Sequence, residues 1–116
     1  LFRLMAVVNQ YKFKGIDNDT TGNALNVFPT GIPRVNETII IKSILVTSAH
    51  NNATVIVINN GITAIKSSPV VANVSMELLT QPLIVEGGSS FTIQASTTDS
   101  FDYAISYLNI KKEVTT

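Results

Sequence analysis

Apolar and polar positions alternate along much of this chain with a period of two, the mark of β-strands with one buried and one wet face. Phe91, Ile93 and Ala95 alternate with Thr92, Gln94 and Ser96 as a clean example. The first extended segment runs from Leu4 to Ile16, with Val7, Asn9, Tyr11 and Phe13 on one phase. A dense turn signal follows at residues 17–23, then a short strand from Ala24 to Phe28. Pro29 and Pro33 confine the next stretch to an edge or a loop. Thr38–Ser48 and Ala53–Asn59 read as strands, and Asn60-Gly61 turns the second into Ile62–Lys66 as a tight hairpin. Ser67-Ser68-Pro69 reads as a break. Val70–Thr80, Leu83–Glu86, Ser90–Ser96 and Phe101–Ile110 complete the set, and residues 111–116 read as a polar tail. About eight strands separated by turn signals predict an all-β, antiparallel sandwich with an extended N-terminal segment.

Two predicted strands do not alternate. Ile39-Ile40-Ile41 and Val55-Ile56-Val57-Ile58 are apolar on both phases. In so small a domain, a strand covered on both sides needs a layer beyond the sandwich core. The N-terminal segment or a neighbouring subunit could supply it, and exposed apolar patches generally mark interfaces. The candidate assembly residues are therefore Phe2, Leu4, Val7, Tyr11, Phe13, Ile40 and Ile56.

Composition supports the all-β reading. Ile and Val make up about a fifth of the chain, and branched side chains suit a pleated surface better than a helix. The 116 residues fit one domain, 1–116, divided into an N-terminal extended segment with an opening hairpin (1–36), a sandwich core (37–110) and the tail (111–116). Charged residues are only 14% and balance to zero, which offers no electrostatic draw to nucleic acid or to an anionic membrane. Lys111-Lys112 is a basic pair without aromatic platforms beside it. No apolar run approaches the length of a membrane helix. Cysteine is absent from the sequence, which excludes disulfides and thiolate chemistry within it. Leu1–Val8 reads as an ordered strand or arm rather than a targeting peptide, with Met5 four positions after Leu1.

Catalytic and ligand-binding patterns are thin. His50 stands in a loop beside two asparagines, and no serine lies in a nucleophile-elbow context. Glu37, Glu77, Glu86, Asp99 and Asp102 are scattered along the chain. Asp17–Gly22 echoes the start of a calcium loop, but Phe28 stands where the bidentate glutamate belongs. Gly87-Gly88 lacks the following helix that a phosphate cradle requires and reads as a turn. Four Asn-x-Ser/Thr sequons occur, at Asn18, Asn36, Asn52 and Asn73. Tyr11, Tyr103 and Tyr107 could stack on a sugar, though Tyr103 and Tyr107 share a phase with Ile105 and read as packing residues. Phe101 and Phe28 are the aromatics nearest to loops. No enzyme activity, metal or cofactor is expected.

The stretches Ile44–Ser48 and Ala53–Ile58 resemble a pattern in small structural proteins of tailed bacteriophages. The series Leu78-Leu79-Thr80, Pro82–Val85, Glu86–Ser89, Phe91–Ser96 and Phe101–Leu108 resembles it too. The likeness covers roughly residues 37–110 and carries no invariant motif. It implies a jelly-roll-like virion component without an active site. A capsid decoration (cement) protein is the first expectation: a homo-oligomer, a trimer for instance, bridging major capsid subunits. A tail, neck or baseplate accessory protein is the alternative, and a receptor- or glycan-binding module is the rival of another class. An extended N-terminal segment suits β-augmentation of an adjacent subunit. Deleting residues 1–13 is accordingly expected to leave a folded sandwich while abolishing incorporation into particles.

Overall fold

The structure is a computed structural model describing residues 4–20, 22–29, 31–48, 53–71, 73–96 and 100–115. Among these residues it contains nine strands and no helix. They are β1 (Leu4–Asp19), β2 (Leu25–Asn26), β3 (Glu37–Ser48), β4 (Ala53–Asn59), β5 (Ile62–Val70), β6 (Ser75–Glu77), β7 (Leu83–Val85), β8 (Phe91–Ala95) and β9 (Phe101–Thr115). One sheet runs β1-β9-β3-β6, with β7 pairing β3 beside β6, and the other runs β2-β8-β4-β5. Every described pairing is antiparallel. The chain crosses between the sheets in jelly-roll order, with β4 and β5 kept in one sheet as a hairpin and one strand of that fold delivered as the two short pieces β6 and β7.

The core lies between the sheets. Ile39, Ile41, Ile44 and Val46 of β3 meet Val55 and Val57 of β4, Phe91 and Ile93 of β8, and Phe101, Tyr103 and Ile105 of β9. Phe28, just after β2, closes one end against Phe91 and the edge of Tyr107, with ring centroids 6.1 and 5.0 Å away. Asn60 and Gly61 both take positive φ, 52° and 75°, in the β4–β5 hairpin predicted for them.

Several element boundaries differ from expectation. Asp17–Asp19 continue β1 and are not part of a turn. Ser67-Ser68-Pro69 does not break the chain; it lies within β5, where Pro69 is tolerated because β5 is a sheet edge. The long strand expected from Val70 to Thr80 is reduced to Ser75–Glu77. Residues 111–115 are not a tail but extend β9. Nor does the N-terminal segment form a layer over the sandwich. From Leu4 to Ile16 it is a regular edge strand, each residue opposite one of β9 between Thr115 and Tyr103.

A β-bulge shifts the inward-facing phase part-way along β3. The register against β9 shifts between Ile41 and Ser43, so Lys42 is the extra residue. Ile39 and Ile41 face inward before it, and Ile44, Val46 and Ser48 after it. Glu77 of β6 stitches this site. It accepts hydrogen bonds from the Ser43 hydroxyl, from the Ile44 N–H at 2.7 Å and from the Leu79 N–H at 3.3 Å. Glu77→Ala is expected to lower stability by about 1–2 kcal/mol, since it strips a charged acceptor from several donors at once. Urea unfolding of the variant checks this, and an unchanged midpoint would assign the bulge to the packing of Ile41 and Ile44 alone.

Candidate functional site

The phase of β1 that carries Val7, Tyr11 and Phe13 faces away from the core. Ile105 and Tyr103 of β9 point inward and stand opposite Lys14 and Ile16, so Val8, Gln10, Lys12, Lys14 and Ile16 carry the inner phase of β1. Val7, Asn9, Tyr11, Phe13 and Gly15 carry the outer one. Val7 is 58% exposed, Tyr11 82% and Phe13 67%. The Phe13 ring leans over Gly15, where an added Cβ would lie 3.1 Å from its Cε1. A strand at the edge of a monomeric sandwich normally presents the reverse arrangement, apolar in and polar out.

The same face continues across the sheet. Tyr11 stands opposite Leu108, Leu108 opposite Ile40, and Ile40 opposite Ile84, forming one apolar row across four strands. Four strands at about 4.8 Å spacing make that row roughly 14 Å long. Ile110 lies beside it on β9, while Leu45 of β3 lies on the same face two rungs away, opposite Ala104. Ile84 and Leu45 are exposed, whereas Ile40, Leu108 and Ile110 are half-buried. Charged side chains near the row include Lys42, exposed at the bulge, Lys12, which lines a shallow cavity with Tyr11, Phe13 and Lys42, and Lys112 towards the end of β9.

The structure thus brings Val7, Tyr11, Phe13 and Ile40 together on one face. Ile56 is separate: it is half-buried on the other sheet, on the phase opposite the buried Val55 and Val57. Leu4 is described through its backbone pairing with Thr115, and Phe2 lies outside the described residues. Leu108, Ile110, Leu45 and Ile84 belong to the surface but escaped sequence reasoning. For Leu108 and Ile110 the signal is present in β9, where Ala104, Leu108 and Ile110 make the second phase apolar too.

A polar cluster fixes the end of the sheet beside this face. Glu37 accepts from the Arg34 N–H at 3.1 Å and from Nδ2 of the buried Asn109 at 3.0 Å. Asn36 and Lys112 exchange two further bonds: the Lys112 N–H donates to the Asn36 carbonyl and Asn36 Nδ2 to the Lys112 carbonyl. Burial alone would raise the Glu37 carboxyl. The Asn109 and Arg34 hydrogen bonds and the charges of Lys111 and Arg34 outweigh it and hold the pKa below its ordinary 4.5. A carboxyl depressed on folding stabilises the fold above its unfolded pKa, and that contribution is lost as pH falls through the folded value. Glu37→Gln is therefore expected to flatten the loss of stability below about pH 4.5. Urea midpoints at pH 7 and pH 3 test it; an equal acid loss in the variant would assign that loss to other carboxylates.

Other candidate chemistry resolves into structural roles. Asp19 is buried beside Tyr103, whose hydroxyl is pushed far above its usual range, by burial first and by the Asp19 carboxylate second. Gly87-Gly88 forms a close turn. A Cβ on Gly87 would lie 2.5 Å from the Arg34 carbonyl oxygen, and Gly88 donates its N–H to the Pro33 carbonyl with φ at 82°. Phe28 and Phe101, the two aromatics nearest to loops, are core residues rather than a binding surface. The cavity of about 300 Å³ beside Phe28 is lined by Asn26, Ile32, Ser89, Ser90 and Phe91 and holds no ionisable side chain. Among the described residues no group of three or more His, Asp or Glu could hold a metal. His50 and the sequon at Asn52 lie outside them.

No protein-family model matches the chain, and no curated protein does. A solved structure of Bacillus endospore appendages, described as a novel family of disulfide-linked pili, contains a similar chain. The TM-score is 0.51 and the identity 13%, over 93% of this chain and 89% of that one. At that identity the likeness shows the fold alone. The disulfide linkage of those pili has no counterpart in these 116 residues, which contain no cysteine.

Proposed function

We propose that this protein is a structural subunit of a multi-copy assembly, working through surface contacts rather than catalysis. The observation that carries the reading is the apolar row Tyr11–Leu108–Ile40–Ile84 on the outside of a sheet whose edge strand also turns Val7 and Phe13 outward, exposed. A monomer gains nothing from that arrangement, while a neighbour covering it buries apolar area at about 25 cal/mol per Å². The assembly we propose is a tailed-phage virion, with capsid decoration as a homo-oligomer on major capsid subunits placed ahead of a tail, neck or baseplate position. The sequence likeness over residues 37–110 supports that choice. A surface fibre is the second reading, favoured by the fold shared with the spore-appendage chain.

Quantitative mass spectrometry of purified virions, with heads separated from tails, tests the proposal. Many copies travelling with heads support decoration, and few copies travelling with tails support the tail alternative. Absence from both, with the chain recovered instead in sheared surface filaments, would replace the virion by the fibre. Recovery only as a free monomer would refute an assembly role.

A further inference from the structure

We infer that β1 pairs with β1 of a second copy, antiparallel about a two-fold axis at Gln10, joining two sandwiches through one continuous sheet. The inference rests on the assembly reading and names its first contact. A sheet edge with unpaired backbone is a template for another strand unless something blunts it. Three of the four edges are blunted. β2 has two residues, and β6 and β7 have three each. β5 carries Pro69 and shifts register twice against β4. β1 is long, free of proline and regular from Leu4 to Ile16, and among the described residues β9 is its one strand neighbour; its edge charges, Lys12 and Lys14, lie in one half of the strand, where an antiparallel partner can set uncharged residues against them. The other edges are too short or too broken to satisfy it, so the matching edge within this chain is β1 itself.

The sequence of β1 fits that pairing. Gln10 is the midpoint of Leu4–Ile16, so an axis there pairs the whole regular stretch with its counterpart. An axis normal to the sheet keeps both apolar faces on one side. Phe13 then stands opposite Val7, and Tyr11 opposite Asn9, in both copies. Aromatic and β-branched residues placed across neighbouring strands are favourable pairs. Lys12 and Lys14 fall opposite Val8 and Ala6, whereas an axis moved to residue 12, 13 or 14 would set lysine against lysine. The apolar row of each copy becomes half of a longer one, and the interface is self-complementary and closed, as two-fold contacts are. The chain's zero net charge sets up no long-range repulsion against it.

The absence of cysteine makes the register directly measurable. Opposed Cα atoms in an antiparallel pair lie about 4.5–5.5 Å apart, within disulfide reach. The full chain is expected to show twice its 12.5 kDa mass by light scattering. Under mild oxidation Gln10→Cys should cross-link far faster than Asn60→Cys at the exposed hairpin turn. A mixture of Val7→Cys and Phe13→Cys should form the mixed disulfide in preference to either homodimer. A monomer at every concentration overturns the inference, and so does a dimer that cross-links no faster at Gln10 than at Asn60. Assembly into particles without the Gln10 cross-link would defeat this contact and leave the assembly reading standing. A cross-linked dimer that never enters any particle or filament would do the reverse.

Discussion

Ile41→Ala is expected to lower stability by about 3–5 kcal/mol, whereas Ile40→Ala, one residue away, changes that of the isolated chain by about 1 kcal/mol or less. Ile41 has no exposed surface and lies in the core with Val85 and Ile105. Removing its outer carbons leaves a cavity in the middle of a strand hydrogen-bonded on both sides, where the backbone has little room to collapse. Ile40 stands on the outer face between Leu108 and Ile84 and is half-buried. Its truncation trims a surface that water already reaches. Thermal unfolding of both variants at low protein concentration, where association is negligible, checks the contrast. Equal losses would mean that the outer face is packed as tightly as the core, which would undercut the case for a neighbour there.

This pair of residues also shows how far the sequence could be read. Three consecutive isoleucines announce a strand apolar on both sides, but they do not say which side is the core. The deciding feature is the bulge at Lys42, because it moves the inward phase from Ile39 and Ile41 to Ile44, Val46 and Ser48. The adjacent polar residues Lys42 and Ser43 were its only local trace. The β4–β5 hairpin, by contrast, was legible because Asn-Gly meets a backbone demand that few other pairs meet. Residues 70–80 divide between two sheets, Val70 pairing with Ala53 at the end of β5 and Ser75–Glu77 with β3, a split that apolar content alone does not show. For the candidate surface, Val7, Tyr11 and Phe13 shared a phase on the page, but that the phase pointed outward depended on Lys12 and Lys14 sharing the other with Ile16. Leu108 and Ile84 join them only through a register across four strands, which local pattern does not encode.

Removing residues 1–13 is expected to separate folding from association. The inward-facing core is built from β2 onward together with β9, and the part of β1 packed against it is Ile16, which the truncation keeps. Across Phe101–Lys111, β9 keeps its ladder with β3. The shortened chain should therefore still unfold cooperatively, at a lower temperature because residues 106–115 lose their partners on one side. Self-association should weaken by at least about 100-fold, equivalent to roughly 2.7 kcal/mol. Both the free edge and the most exposed members of the apolar face, Tyr11, Phe13 and Val7, leave with the deleted segment. The edge bared on β9 is a poor substitute, since Lys111, Lys112 and Glu113 are the charged type of sequence that discourages strand addition. Circular dichroism on heating and sedimentation across a concentration series read the two effects separately. A truncated chain that folds and associates as before would move the contact to the β7 side of the row or to Ile56 on the other sheet. One that fails to fold would show that β9 needs β1 beside it, and Tyr11→Lys with Phe13→Lys in the full-length chain would then test association alone.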